Sequence, residues 1–157
     1  MIERARRPVA REPNEKIEAS WASNPGTARS MRSNRHRDTK PELTIRRLLH
    51  ARGYRYRVDF APWSNKRCRA DIVFTRRRLA VFIDGCFWHG CPEHGTMPGR
   101  NSEWWRWKIA RNQARDRDTD EKLNALGWTV IHIWEHEDSD DAAGLVAHAV
   151  TSATKDY

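Results

Sequence analysis

Between Ile83 and His94 the chain reads Ile83-Asp84-Gly85-Cys86-Phe87-Trp88-His89-Gly90-Cys91-Pro92-Glu93-His94, placing thiols, imidazoles and carboxylates beside two large aromatics, directly after an apolar run. A core strand needs no such groups, and a free loop rarely keeps adjacent Phe and Trp in water, where their apolar stabilisation is lost. Cys86, Cys91 and His94 are soft and borderline ligands on a segment that can turn tightly at Gly90 and Pro92, which suits tetrahedral zinc. His136, just past the apolar run Thr129 to Trp134, offers a fourth ligand. A ligand so distant in sequence would staple two strands together, as structural zinc does in small domains. The alternatives are a Cys86–Cys91 disulfide or two reduced core thiols, and the N-terminus carries no secretory h-region that would favour the disulfide.

A second, harder set of groups stands beside the first. Asp71 lies at the start of the strand-like run Ala70 to Phe74, and the next run delivers Asp84 and the backbone carbonyl of Ile83. Oxygen donors of this kind suit Mg²⁺, which keeps several waters and takes only one or two carboxylates from a protein. Phosphodiester hydrolysis uses such an ion to neutralise charge developing on the phosphate. His89, with an ordinary pKa of about 6.5, can serve as general base or acid near neutrality. Glu42 is placed to add an indirect contact. An isolated strand-end Asp71 paired with Arg69 would be a purely structural carboxylate; the convergence of Asp71, Asp84 and His89 favours a catalytic site.

The composition agrees. A net charge of +8 favours a polyanionic partner, because each phosphate contact by Lys or Arg releases condensed counterions. Eight Trp residues add faces for stacking or wedging, although most should be core. No apolar run reaches the roughly 20 residues that span a bilayer, so no membrane partner is expected and a cytoplasmic protein is. A chain of 157 residues is enough for one domain and too short for two.

The elements that must position these groups are legible in outline. Residues 1–30 are rich in Arg, Glu, Pro, Ser and Asn and read as a flexible basic arm ahead of a domain over 31–157. Thr39 with Glu42 suggests a capping box, Pro41 fits a first helical turn, Leu43, Leu48 and Leu49 mark a stripe, and Gly53 ends the helix. Tyr54 to Val58 reads as a strand and Ala61 to Arg69 as a loop holding an unliganded Cys68. Ala70 to Phe74 and Leu79 to Ile83 form a hairpin through Thr75 to Arg78. A long helix starts at Ser102, with Trp104, Trp107 or Lys108, Ala114, Leu123 and Leu126 inward, Arg residues outward, and Gly127 as stop. Trp128 to Trp134 follows as a strand, and Asp140 or Asp141 opens a last helix. The order helix, three strands, helix, strand, helix predicts an α/β (α+β) mixed sheet flanked by helices.

The segments DTKPE (38–42), ADIVF (70–74), VFIDGCFWHGCPEH (81–94), KIARNQARD (108–116) and GWTVIHIWEHE (127–137) together resemble, in order, the very-short-patch repair (Vsr) mismatch endonucleases, over about Met31 to Glu137. The resemblance implies a restriction-endonuclease-like fold that nicks duplex DNA 5′ to the T of a T:G mismatch left by 5-methylcytosine deamination. It implies Asp71 as the Mg²⁺-binding aspartate with the Ile83 carbonyl as second protein ligand, His89 as the catalytic histidine and Glu42 as the assisting acid. Asp84 falls where the family often has His, which leaves its role open. Cys86, Cys91, His94 and His136 match the structural zinc set, and Met31, Phe87 and Trp88 the side chains that wedge beside the mismatch. A T:G wobble is already weakly stacked, so opening it takes less free energy than opening a matched step.

The wider nuclease superfamily commonly sets a Lys two residues beyond the second carboxylate, where this chain has Cys86; that shifts the orienting of water onto His89. Arg32, Lys108, Arg111 and Arg115 would hold phosphates, against the plainer reading of a solvated basic face. The expected partner is double-stranded DNA with a T:G mismatch, met by a monomer, with other repair proteins to follow. Two alternatives stand: a zinc-stabilised DNA-binding module without catalysis, and a related nuclease acting on a different DNA substrate.

Overall fold

The computed structural model describes residues 37–153, together with Gly26. Residues 1–30 otherwise, with Met31 and Arg32, lie outside the described residues. Helix α1 spans Lys40–Ala51, with Pro41 in its first turn where a missing N–H does no harm. The expected capping box does not close, although Glu42 does reach back to the residues that start the helix. Glu42 accepts the Asp38 amide and the Thr39 hydroxyl, each at 2.9 Å, while Thr39 caps no helix amide. Ile45 and Leu49 are the fully buried positions, and Gly53, at φ +87°, closes the helix in a conformation that suits glycine.

Four strands follow: β1 (Arg57–Phe60), β2 (Ala70–Phe74), β3 (Leu79–Asp84) and β4 (Thr129–Trp134). They lie in the order β1-β2-β3-β4, the first three antiparallel and β4 parallel to β3. The first strand starts later than the aromatic and Arg alternation suggests. Tyr54 and Tyr56 pack edge-on against Phe74 instead, and the Tyr56 hydroxyl donates to the Arg46 carbonyl at 2.6 Å. The expected hairpin forms through a 3₁₀ turn at Thr75–Arg77, with Arg78 left-handed at φ 46°.

The parallel β3–β4 pair requires a crossover, supplied by the long helix α2 (Ser102–Ala125). Helix α3 (Ser139–Ser152) completes the fold; its cap is Asp138, which accepts the amides of Asp140 and Asp141, so those two residues sit inside the first turn rather than opening it. One face of the sheet packs on α1 and α3 through Ile45, Leu49, Ile72, Leu79, Val81, Ile133, Val146 and Val150. The other face, with Ala70, Val73 and Ala80, is covered by Leu123. The architecture is thus α+β, a mixed four-stranded sheet flanked by three helices among the described residues.

Helix α2 corrects one expectation. Its buried apolar residues are Trp105 and Leu123, whereas Trp107 and Leu126 are 37% and 49% exposed and Ala114 is exposed. The reason is chemical: the inward face is polar in its middle, with Asn112, Gln113, Asp116 and Asp120, so an apolar stripe is the wrong guide to its orientation. Among the described residues no helix is long and apolar enough to cross a membrane.

Candidate active site and metal centre

The antiparallel register sets Ile72 against Val81, which brings Asp71 across from the end of β3. The Ile83 amide donates to Asp71 Oδ2 at 2.7 Å. Burial pushes the Asp71 carboxyl up to about 6 despite that bond, and the negative Glu42 and Asp84 push the same way against Arg46. An acid raised by burial and by other acids is where a cation is welcome, and the donors are hard oxygens. Glu42 is 3% exposed and pairs with Arg46 at 3.0 Å, so its carboxylate is committed to the start of α1 while its charge is felt at Asp71.

His89 sits on the turn after β3, with Nδ1 2.7 Å from Asp116 Oδ2 on α2 and 3.7 Å from Asp84 Oδ1. Burial opposes the charged imidazole, but the hydrogen bond to Asp116 and the charges of Asp84 and Asp116 outweigh it and raise the pKa. Asp116 responds inversely: burial raises it, but the bond to His89 and the charges of His89, Arg115 and His132 together lower it. With Nδ1–H directed at Asp116, the lone pair of His89 is on Nε2, the arrangement a general base needs. The turn itself is clamped by α2, since Asn112 donates to the Trp88 carbonyl at 2.9 Å and Gln113 to the His89 carbonyl at 3.0 Å. Gly90, at φ +65°, lets the turn lie against the helix; a Cβ there would meet Ile109 and Gln113 at 2.8 Å.

Cys86, Cys91, His94 and His136 place one ligand atom each within 4.8 Å of one another. Cys86 Sγ is 3.1 Å and Cys91 Sγ 3.8 Å from His136 Nδ1. A tetrahedral zinc with bonds of about 2.0–2.3 Å has ligand edges of about 3.3–3.8 Å, so the four atoms stand near the spacing that such an ion would require. Both cysteines are free thiols, which removes the disulfide. Burial, with Cys91 alongside, pushes the Cys86 thiol up to about 11, so a metal entering here must displace a proton. Parallel pairing of β3 with β4 aligns Asp84 with Trp134 and so brings His136 to the cysteines.

Residues 25–93 match the family model described as DNA mismatch endonuclease Vsr. The chain is 47% identical over 125 residues to the type II nicking enzyme V.NaeI of Lentzea aerocolonigenes, covering 78% of this chain and 75% of that protein. It is 41% identical over 112 residues to V.XorIIP of Xanthomonas oryzae, covering 70% and 79%. The chain belongs to the Vsr endonuclease family. It is also 35% identical over 112 residues to DNA mismatch endonuclease Vsr of Escherichia coli K12, covering 69% of this chain and 68% of that protein.

The structure of this Vsr-family chain therefore gathers Asp71, Ile83, Asp84 and His89 at one end of the sheet, and the four sulfur and imidazole ligands next to them. Phe87 and Trp88 are half-buried and packed on Trp105, with ring centroids 5.0 and 5.9 Å away. Lys108, Arg111 and Arg115 share one face of α2 by their spacing of three and four residues, and both arginines are exposed. The sequence reading missed Asp116, His132, Asp120, Asn112 and Gln113. Two signals pointed to them: the acids Asp116 and Asp120 recur at helical spacing, and His132 interrupts an otherwise apolar strand.

Proposed function

We propose that this chain is a Mg²⁺-dependent endonuclease that nicks duplex DNA 5′ to the T of a T:G mismatch, the first step of very-short-patch repair. The carrying observation is the Asp116–His89 pair set beside Asp71 and Asp84, within a family of DNA mismatch endonucleases. Asp71 and the Ile83 carbonyl hold the divalent ion, which supplies neutralisation of the charge that develops on the phosphate. Asp116 fixes the His89 ring and its tautomer, so that Nε2 takes the proton of the attacking water as the phosphorus–oxygen bond to the leaving strand breaks. Arg32, Lys108, Arg111 and Arg115 hold phosphates, and Met31, Phe87 and Trp88 are the side chains that wedge beside the mismatch. Glu42 acts through Arg46 and the charge it lends to Asp71.

Zinc bound by Cys86, Cys91, His94 and His136 holds the turn that carries His89. The domain over 31–157 is a restriction-endonuclease-like unit, supported by its mixed sheet and flanking helices, and residues 1–30 are a basic arm. The enzyme works as a cytoplasmic monomer whose nick is passed to other repair proteins. Incubation of the chain with labelled T:G and T:A duplexes, with and without Mg²⁺, tests the reading: only the T:G strand should be cut, only with the ion, and not by Asp71→Ala, which should still bind the mismatch. Equal cutting of T:A would assign a different substrate; binding without cutting would leave a recognition module.

A further inference from the structure

His132 is not needed by the mechanism above, yet both of its ring nitrogens are engaged. Its Nδ1 lies 2.6 Å from Asp84 Oδ2 and its Nε2 3.0 Å from Asp120 Oδ1. Its ring stacks on Phe82, with centroids 5.2 Å apart and planes at 14°. Because a carboxylate faces each ring nitrogen, both nitrogens act as donors, which makes the ring a cation between two anions. Asp84 is the shared member: one oxygen is held by His132, the other faces His89 Nδ1 at 3.7 Å. Asp116 and Asp120, four residues apart on α2, complete a chain of five groups in which each imidazole is bracketed by one helix carboxylate and Asp84.

We propose that His132, held between Asp84 and Asp120, is a positioning residue for His89: it fixes the Asp84 carboxylate and so keeps the His89 ring on Asp116, locking the catalytic turn to both the sheet and the DNA-facing helix. Asp84 is only 8% exposed, and a buried carboxylate stripped of its partner seeks another. The available donor is the Nδ1–H of His89, now given to Asp116. Without His132, Asp84 competes for that proton and turns the ring away from its working orientation. A misplacement of about 1 Å in a catalytic group can lower a rate about 100-fold.

This inference rests on the proposed function, and the experiment separates the two. Single-turnover nicking of the T:G duplex, duplex affinity, melting temperature and imidazole ¹H–¹⁵N spectra are compared for wild type, His132→Leu, His132→Asn, Asp84→Asn and the Asp84→Asn/His132→Leu double variant. In His132→Leu the nicking rate should fall about 10- to 100-fold with duplex affinity unchanged, and the His89 Nδ1–H resonance should move. His132→Asn, whose amide reaches the Nδ1 position and can donate to Asp84, should recover most of the rate. In the Asp84→Asn background the His132→Leu change should lower the rate no further. If Leu prevents folding, His132→Gln replaces it as the slow variant, since its longer amide misses Asp84. A folded His132→Leu chain that nicks at the wild-type rate overturns the proposal, as does a loss confined to duplex affinity, which would make His132 a phosphate contact. Should the wild type nick no duplex at all, the functional reading fails by itself, and the His89 resonance still decides: movement supports the positioning role, and no movement overturns it.

Discussion

The Nδ1 atom of His89 lies 2.7 Å from Oδ2 of Asp116, a residue 27 positions further along the chain and on a different element. This relationship sets which nitrogen of His89 can accept a proton, and in the proposed mechanism it makes Asp116 the group that orients the histidine. Asp116→Asn keeps the shape but offers the ring an amide in place of a carboxylate, so the opposite tautomer becomes accessible. The nicking rate should fall about 100-fold or more, the melting temperature and duplex affinity should hold, and quench-flow nicking of a T:G duplex is the measurement.

Asp71, raised to about 6 by burial, would link the proposed cation binding to pH. Below that value it holds a proton that a divalent ion must displace; above it the carboxylate is free. Mg²⁺ should therefore raise the melting temperature more at pH 7.5 than at pH 5.5. Asp71→Asn, which removes a buried charge at constant shape, should melt no lower than wild type without Mg²⁺, should gain nothing from the ion and should not nick. Calorimetric scans at the two pH values would reveal a cation site elsewhere if the Mg²⁺ shift survived in the variant.

The sulfur and imidazole cluster predicts one zinc per chain, with proton release on loading, because the Cys86 thiol is otherwise held up to about 11. A strong chelator should lower the melting temperature and abolish nicking together, and added zinc should restore both. Elemental analysis paired with thermal scans in Cys86→Ser checks this; a chelated chain that still cuts at full rate would remove the cluster from the working structure.

His132 sets a pH limit on stability. The bond to Asp84, opposed by burial and reinforced by Asp120, raises its pKa to about 9, above the unfolded value of about 6.5. A raised histidine contributes fully below the unfolded pKa and loses that contribution as pH climbs through the folded one. The difference in melting temperature between wild type and His132→Leu should therefore be constant below about pH 6.5 and shrink towards pH 9. A difference that stays flat across this range would contradict the paired arrangement.

Much of the site was legible in residue order because its chemistry is local. Cys86, Cys91 and His94 share one turn, Asp84 precedes it and His89 lies within it, and the ligand spacing by itself pointed to a tetrahedral metal such as zinc. Apolar runs likewise marked β2, β3 and β4, nearly continuous in β2 and β3, which are largely buried on both faces. The helix α2 was harder. Its inward face carries Asn112, Gln113, Asp116 and Asp120, so hydrophobic periodicity turned Trp107, Ala114 and Leu126 inward when they face water.

What the sequence alone determined is the inventory: which ligands, acids and bases exist, and which strand delivers them. Tertiary structure decided the partners. Parallel pairing of β3 with β4 brought His136 to the cysteines and His132 to Asp84, and the crossover helix laid Asp116 against His89. Such contacts join residues 27 to 50 positions apart. Local propensity does not encode them, because they arise only when a register and a helix face are fixed together by burying the sheet on both sides.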